Sequence, residues 1–102
     1  MTTYKVLIRK SALVDLDNLL AFLKTVMSRE GANRYVDVMV SEVHSLSILA
    51  GLYQPSRSVV LRRIHPKARR MLSHNRKWNY VFHIQDDLVV VDRILPSKMI
   101  KG

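Results

Sequence analysis

Apolar residues along this chain follow two rhythms, and the changes of rhythm mark the elements. The opening YKVLIR alternates and is rich in strand formers, so residues 3–9 are expected to form a strand. From Ala12 onward Leu13, Leu16, Leu19, Leu20, Leu23, Val26 and Met27 recur at steps of three and four. That spacing gathers side chains on one helical stripe and predicts a helix over residues 12–27. Ser11 stands at its N-cap position, and Asp15, Asp17, Asn18 and Lys24 are left to solvent.

Ser28 caps a second predicted helix, with Glu30 in its first turn favoured by the helix dipole. Ala32, Tyr35, Val36, Met39, Val40, Val43, Leu46 and Leu49 keep the helical period as far as Gly51. So short a connection makes the two helices antiparallel. YQPSRS then reads as loop, VVLRRI as a short extended piece interrupted by Pro66, and ARRMLS as a strand. KWNYVFHI and LVVVDRIL are the two clearest strands, joined in a tight hairpin by Gln85, Asp86 and Asp87.

The order β α α β β β predicts one α+β domain over residues 1–102, in two layers. An N-terminal strand, an antiparallel helical hairpin and a three-stranded antiparallel meander follow one another, with the helices on one sheet face and solvent on the other. Counting by twos along the penultimate strand puts Trp78, Tyr80, Phe82 and Ile84 under the helices. Asn79, Val81, His83 and Gln85 then line the solvent face.

Composition adds a constraint on partners. The 102 residues suffice for one core, and 48% hydrophobic content with only three Gly and three Pro describes a globular chain. No run of apolar residues has the length of a membrane span or signal peptide, so a soluble cytoplasmic protein without membrane contact is expected. The absence of cysteine excludes disulfides, thiolate metal sites and thiol catalysis.

The formal charge of +9 points to an acidic partner. All eight carboxylates lie outside residues 43–85, which hold eight Lys or Arg and all four His. RRIHPKARRMLSHNRKW, from Arg62 to Trp78, concentrates this charge. A one-sign run repels itself until an anionic partner supplies the missing charge, so Arg62, Arg63, Lys67, Arg69, Arg70, Arg76, Lys77 and Arg93 are the candidate partner-binding residues.

Metal-independent RNA cleavage needs a base for the 2′-hydroxyl, an acid for the leaving oxygen and cations for the phosphate. His65, His74 and His83 exchange protons near neutral pH, and Arg69, Arg70, Arg76 and Lys77 suit phosphate. The same inventory equally suits a surface that only binds. His65, His74 and His83 are spaced by nine residues with no carboxylate among them, which is no recognised ligand pattern, so no metal or other cofactor is expected. His44 is assigned to packing or surface.

Several local patterns together resemble the RelE/ParE family of type II toxin-antitoxin toxins. Ala12, Asp15 and Leu16 match the family's first-helix motif, and Ala32, Arg34 and Tyr35 the opening of its second helix. Leu49 and Ala50 before the Pro55 loop, and the hairpin WNYVFHIQDDLVVVDRILPSKM, continue the match over nearly the whole chain. The resemblance implies a growth-inhibiting toxin, of the kind that also stabilises plasmids, neutralised by an acidic cognate antitoxin. ParE-like members bind DNA gyrase without catalysis; RelE-like members cleave mRNA on the ribosome.

Departures from the family pattern bear on that choice. Trp78 and Asn79 stand where ribonuclease-type members carry Tyr-Arg, and no aromatic residue follows the basic Lys98. This favours the non-enzymatic, gyrase-directed reading. An atypical endoribonuclease would draw on His74, His83 and Lys98. A basic nucleic-acid-binding module without toxicity is the third reading, marked by salt-dependent binding with no neutralising partner.

Overall fold

The computed structural model describes residues 3–100. Strand β1 (Lys5–Ile8) leads into helix α1 (Lys10–Val26), and α2 (Arg29–His44) returns beside it. A short helix α3 (Leu46–Leu49) and a 3₁₀ turn over Ala50–Leu52 prolong that direction. Helix α4 (Val59–Ile64) then precedes β2 (Arg69–Leu72), β3 (Trp78–Gln85) and β4 (Leu88–Pro96), and a 3₁₀ turn over Ser97–Met99 follows.

The expected α+β class and the C-terminal meander are present, in a sheet of order β1-β4-β3-β2. Pairing is antiparallel from β2 to β4. The sheet is nevertheless mixed, because β1 lies parallel to β4 with Leu7 opposite Val90. The reason is topological: the helices carry the chain across to the far edge, and a three-stranded meander leaves its last strand running with its first.

Helix α1 buries Ala12, Leu16, Leu19 and Leu23, and α2 buries Ala32, Met39 and Val43. These stripes close on Tyr80, Phe82, Val89, Val91 and Ile94 of the sheet. The Ser28 cap forms as expected, its Oγ accepting the Gly31 N–H at 3.0 Å. Ser11 does not cap α1, whose N-cap is Arg9. Its hydroxyl instead donates to the Asp92 carbonyl at 2.6 Å, joining the start of α1 to β4. Within the 24-residue segment Arg29–Leu52 an 18-residue window has mean hydropathy 1.2, long and apolar enough by length and composition to cross a membrane. In this fold its apolar stripe covers the sheet.

Two expectations about the second sheet face need correction. VVLRRI is not extended: it forms α4, whose Leu61 is fully buried. Leu61 joins Ala68, Val81, Leu95 and Ile100 in a second, smaller core on the face that was assigned to solvent. Consequently Asn79, Val81 and His83 are buried, and only Gln85 of that row is exposed. Six residues hold too few turns for a helical period to stand out from a buried strand.

β4 contains a bulge, since Val81 pairs with Arg93 and Phe82 with Val91, leaving Asp92 as the extra residue. An added residue breaks strict alternation and turns a side chain into a place the ladder would not give it. Here Val91 and Ile94 both reach the helix-side core while the Asp92 carboxylate is buried against His83.

Candidate functional site

The expected site residues separate into two groups at opposite ends of β3. His83 lies five positions along the strand from Trp78, roughly 17 Å at ~3.3 Å per residue. His74 belongs to the turn before β3 and Lys98 to the turn after β4, both at the Trp78 end. No single site therefore assembles from His74, His83 and Lys98.

At the Trp78 end the β2–β3 turn is fastened to α2. Glu42 accepts the His74 N–H at 2.7 Å through one carboxylate oxygen and the Tyr80 hydroxyl at 2.7 Å through the other. Burial and that hydrogen bond raise the Tyr80 pKa above its usual value. The Tyr35 hydroxyl accepts from Asn75 Nδ2 at 2.8 Å and from Trp78 Nε1 at 3.0 Å. Arg76, in the left-handed region at φ 63°, turns the chain, and its carbonyl accepts the Ser97 hydroxyl at 2.7 Å.

This fastening presents Arg76, Lys77 and Lys98 around a groove of about 530 Å³. Phe22, Trp78 and Pro96 supply its apolar wall. Phe22 and the adjoining Met99 are 60% and 57% exposed and add apolar surface beside these cations. Chemically the groove suits an apolar anchor flanked by carboxylates, or an aromatic base flanked by phosphates.

Of the other candidate cations, Arg70 shares a neighbouring cavity with Arg76, and Arg93 shares one with Phe22, Trp78 and Pro96. Arg62 and Arg63 are exposed on α4, where Arg62 Nε donates to the Ser56 carbonyl at 3.3 Å, and Lys67 is exposed on the link to β2. Arg70 is exposed opposite Val81 on the second face. Arg69 pairs with Phe82 on the helix side, and its Nη1 donates to the Tyr53 carbonyl at 2.6 Å. Arg69 thus ties a loop to the sheet; neighbouring strand positions point to opposite faces, so it and Arg70 cannot act side by side.

Arg93 is likewise engaged within the molecule. It clamps Asp15 with Nε at 2.8 Å and Nη2 at 3.0 Å, and the same carboxylate accepts the Ile94 N–H at 2.9 Å. Asp15 was expected in solvent, yet it holds the residues just past the bulge. The pairing raises the Arg93 pKa.

At the far end of β3 lies a group that periodicity did not reveal as a unit. His83 Nδ1 meets Asp92 Oδ2 at 2.6 Å, both side chains being buried. Arg9 Nη1 reaches the other Asp92 oxygen at 3.2 Å. The His65 ring stacks on His83 with centroids 3.7 Å apart and planes within 2°. Burial, then the neighbouring His83, lower the His65 pKa, with Lys67 and Arg9 adding to the effect and Asp92 opposing it. Histidines at positions 65 and 83 gave a hint of proton chemistry, whereas the parts played by Asp92 and Arg9 depend on the bulge and on the parallel edge strand.

No group of three or more His, Asp or Glu among the described residues is arranged to hold a metal ion. The two-layer architecture, with a helical hairpin over a sheet of order β1-β4-β3-β2, defines a known class of small α+β proteins. No family model and no curated protein sequence matches the chain. Among solved structures, a chain of the chromosomal ParDE TA system from P. aeruginosa is similar, with a TM-score of 0.78 and 19% sequence identity. The match covers 92% of this chain and 96% of that one, so the two share their fold over nearly their full lengths.

Proposed function

We propose that this chain is the toxin of a type II toxin-antitoxin pair, a ParE-like cytoplasmic protein that arrests growth by binding DNA gyrase. The observation that carries the reading is the fold shared almost end to end with a chain of a ParDE TA system. The sequence motifs that resemble the RelE/ParE family fall on α1, α2 and the β3–β4 hairpin of that same fold. Dispersal of His74, His83 and Lys98 supports action by binding rather than by cleavage. In this reading the groove between Phe22, Trp78 and the cations Arg76, Lys77 and Lys98 receives the target. An acidic antitoxin covers the same groove with an apolar anchor and carboxylates, neutralising by occlusion.

The Asp92-bound His83 is the one observation that favours a second reading, an atypical ribosome-dependent mRNA endonuclease, because a carboxylate-oriented imidazole is a competent proton acceptor. Two measurements separate the readings. Expression of the chain alone should arrest bacterial growth, and co-expression of the adjacent gene should restore it. Purified protein should then inhibit gyrase supercoiling while leaving ribosome-bound mRNA intact. Abundant folded protein without growth arrest rejects the toxin reading, and mRNA cleavage without gyrase inhibition replaces the first reading with the second.

A further inference from the structure

The stacked histidines stand apart from the groove, and the gyrase-directed reading makes no use of them. Both rings use Nδ1 within the molecule: His65 Nδ1 accepts the Lys67 N–H at 3.0 Å, and His83 Nδ1 faces the Asp92 carboxylate. These contacts set the protons. Neutral His65 must then carry its hydrogen on Nε2, and His83, donating from Nδ1, has Nε2 left over. Neither Nε2 has a hydrogen-bond partner among the described residues. The two rings line one cavity of about 280 Å³ with Lys67, Ile84 and Gln85.

No carboxylate lines that cavity, although one lies directly behind it. Asp92 sits on the inner side of His83, where it stabilises an imidazolium without presenting negative charge to the opening. The charged and titratable groups around the pair are Arg9 at the end of β1, Asp92 on β4 and Lys67 on the α4–β2 link. Two protonated imidazoles stacked this closely repel each other unless an anion bridges them. A site with the Lys67 ammonium, one N–H donor and one unpartnered imidazole nitrogen suits an oxyanion that accepts several hydrogen bonds once that nitrogen carries a proton.

We propose that His65, His83 and Lys67, with Asp92 behind them, form a proton-linked binding site for a phosphate dianion, either free or as the monoester of a nucleotide. Binding places phosphate oxygens on the two Nε2 positions and the Lys67 ammonium, and draws a proton onto the imidazole pair. Affinity therefore rises as pH falls while the ligand remains a dianion, by at most about tenfold per pH unit where one proton is taken up, and levels off near the phosphate's own second pKa, about 6 for a monoester, where the free ligand is protonated instead. The site does not depend on the toxin reading.

The test is a titration of the full chain with inorganic phosphate and, separately, with adenosine 5′-monophosphate. Imidazole nitrogens are followed by NMR at pH 6.0 and 7.5, with chloride at matched ionic strength as the control. The expected result is a saturable change at Nε2 of both His65 and His83, tighter at the lower pH. The response should be lost in His65→Gln and weakened in Lys67→Ala, two positions whose substitution leaves the buried His83–Asp92 pair in place. An Arg76→Ala, Lys77→Ala variant should respond like the parent. Tighter binding of the nucleotide supports a nucleotide ligand, and equal binding supports phosphate itself. An identical change with chloride, an unaltered response in His65→Gln, or a response confined to the Arg76 and Lys77 end overturns the proposal.

Discussion

Asp15 and Asp92 show how a single carboxylate is put to work by its backbone surroundings. Both serve the β4 bulge, one by accepting the Ile94 N–H and the Arg93 guanidinium, the other by holding His83 and Arg9. A buried carboxylate is tolerated because cations and hydrogen bonds surround it. His65 completes this corner at an electrostatic cost, visible in its lowered pKa. In the unfolded chain His65 titrates near the ordinary 6.5, so on acidification the unfolded state takes up the proton first. The contribution of this group to stability is therefore full above that pH and is lost as pH falls through the lower folded value. In phosphate-free buffer the urea midpoint should decline between pH 7.5 and 5.5, and His65→Gln should make the decline shallower. Equal slopes for the two proteins would mean that His65 is not the group responsible.

Among the elements, α4 departs furthest from expectation. It is only six residues long, and such a helix has little stability of its own. What holds it is the packing of Leu61 against Ala68, Val81, Leu95 and Ile100. Removing the Leu61 side chain should cost about 2–5 kcal/mol, the range for fully buried Leu→Ala changes. The Leu61→Ala variant should also expose amides of α4 and β2 to hydrogen exchange before those of α1 and α2, because the second core is separate from the larger one. Uniform loss of protection would show that the two faces unfold as one. The β2–β3 turn contrasts with α4, since Glu42 and Tyr35 anchor it from α2 through side-chain hydrogen bonds.

On the scale of the whole molecule, the charge of +9 is divided by the fold into cations with structural duties and cations left to a partner. Arg69 and Arg93 belong to the first set, held by Tyr53 and Asp15. Arg76, Lys77 and Lys98 belong to the second, exposed around an apolar groove. Replacing these three with Ala should change stability by no more than about 1 kcal/mol, as is usual for exposed charges without a buried partner. Growth arrest should nevertheless be lost, and antitoxin affinity should fall with it. Retained arrest by a stably folded triple variant would remove the groove from the proposed mechanism.

The helical hairpin, the Ser28 cap, the β3–β4 hairpin and the α+β class were legible in the chain, because each depends on local periodicity or on a few adjacent residues. The aromatic row Trp78, Tyr80, Phe82 and Ile84 was likewise readable, since strand alternation alone sends it to one face. Other features depended on residues distant in sequence. Whether Asn79, Val81 and His83 met solvent or α4 turned on the second core, and β1 joined β4 in parallel only after the crossover was complete. The bulge that gives Asp92 to His83 follows from a mismatch of register between two strands, and the stack of His65 on His83 from a helix capping the far face. Local rhythm determines which way a side chain points along its own element; what it meets there is set by packing between elements, which no single stretch of sequence contains.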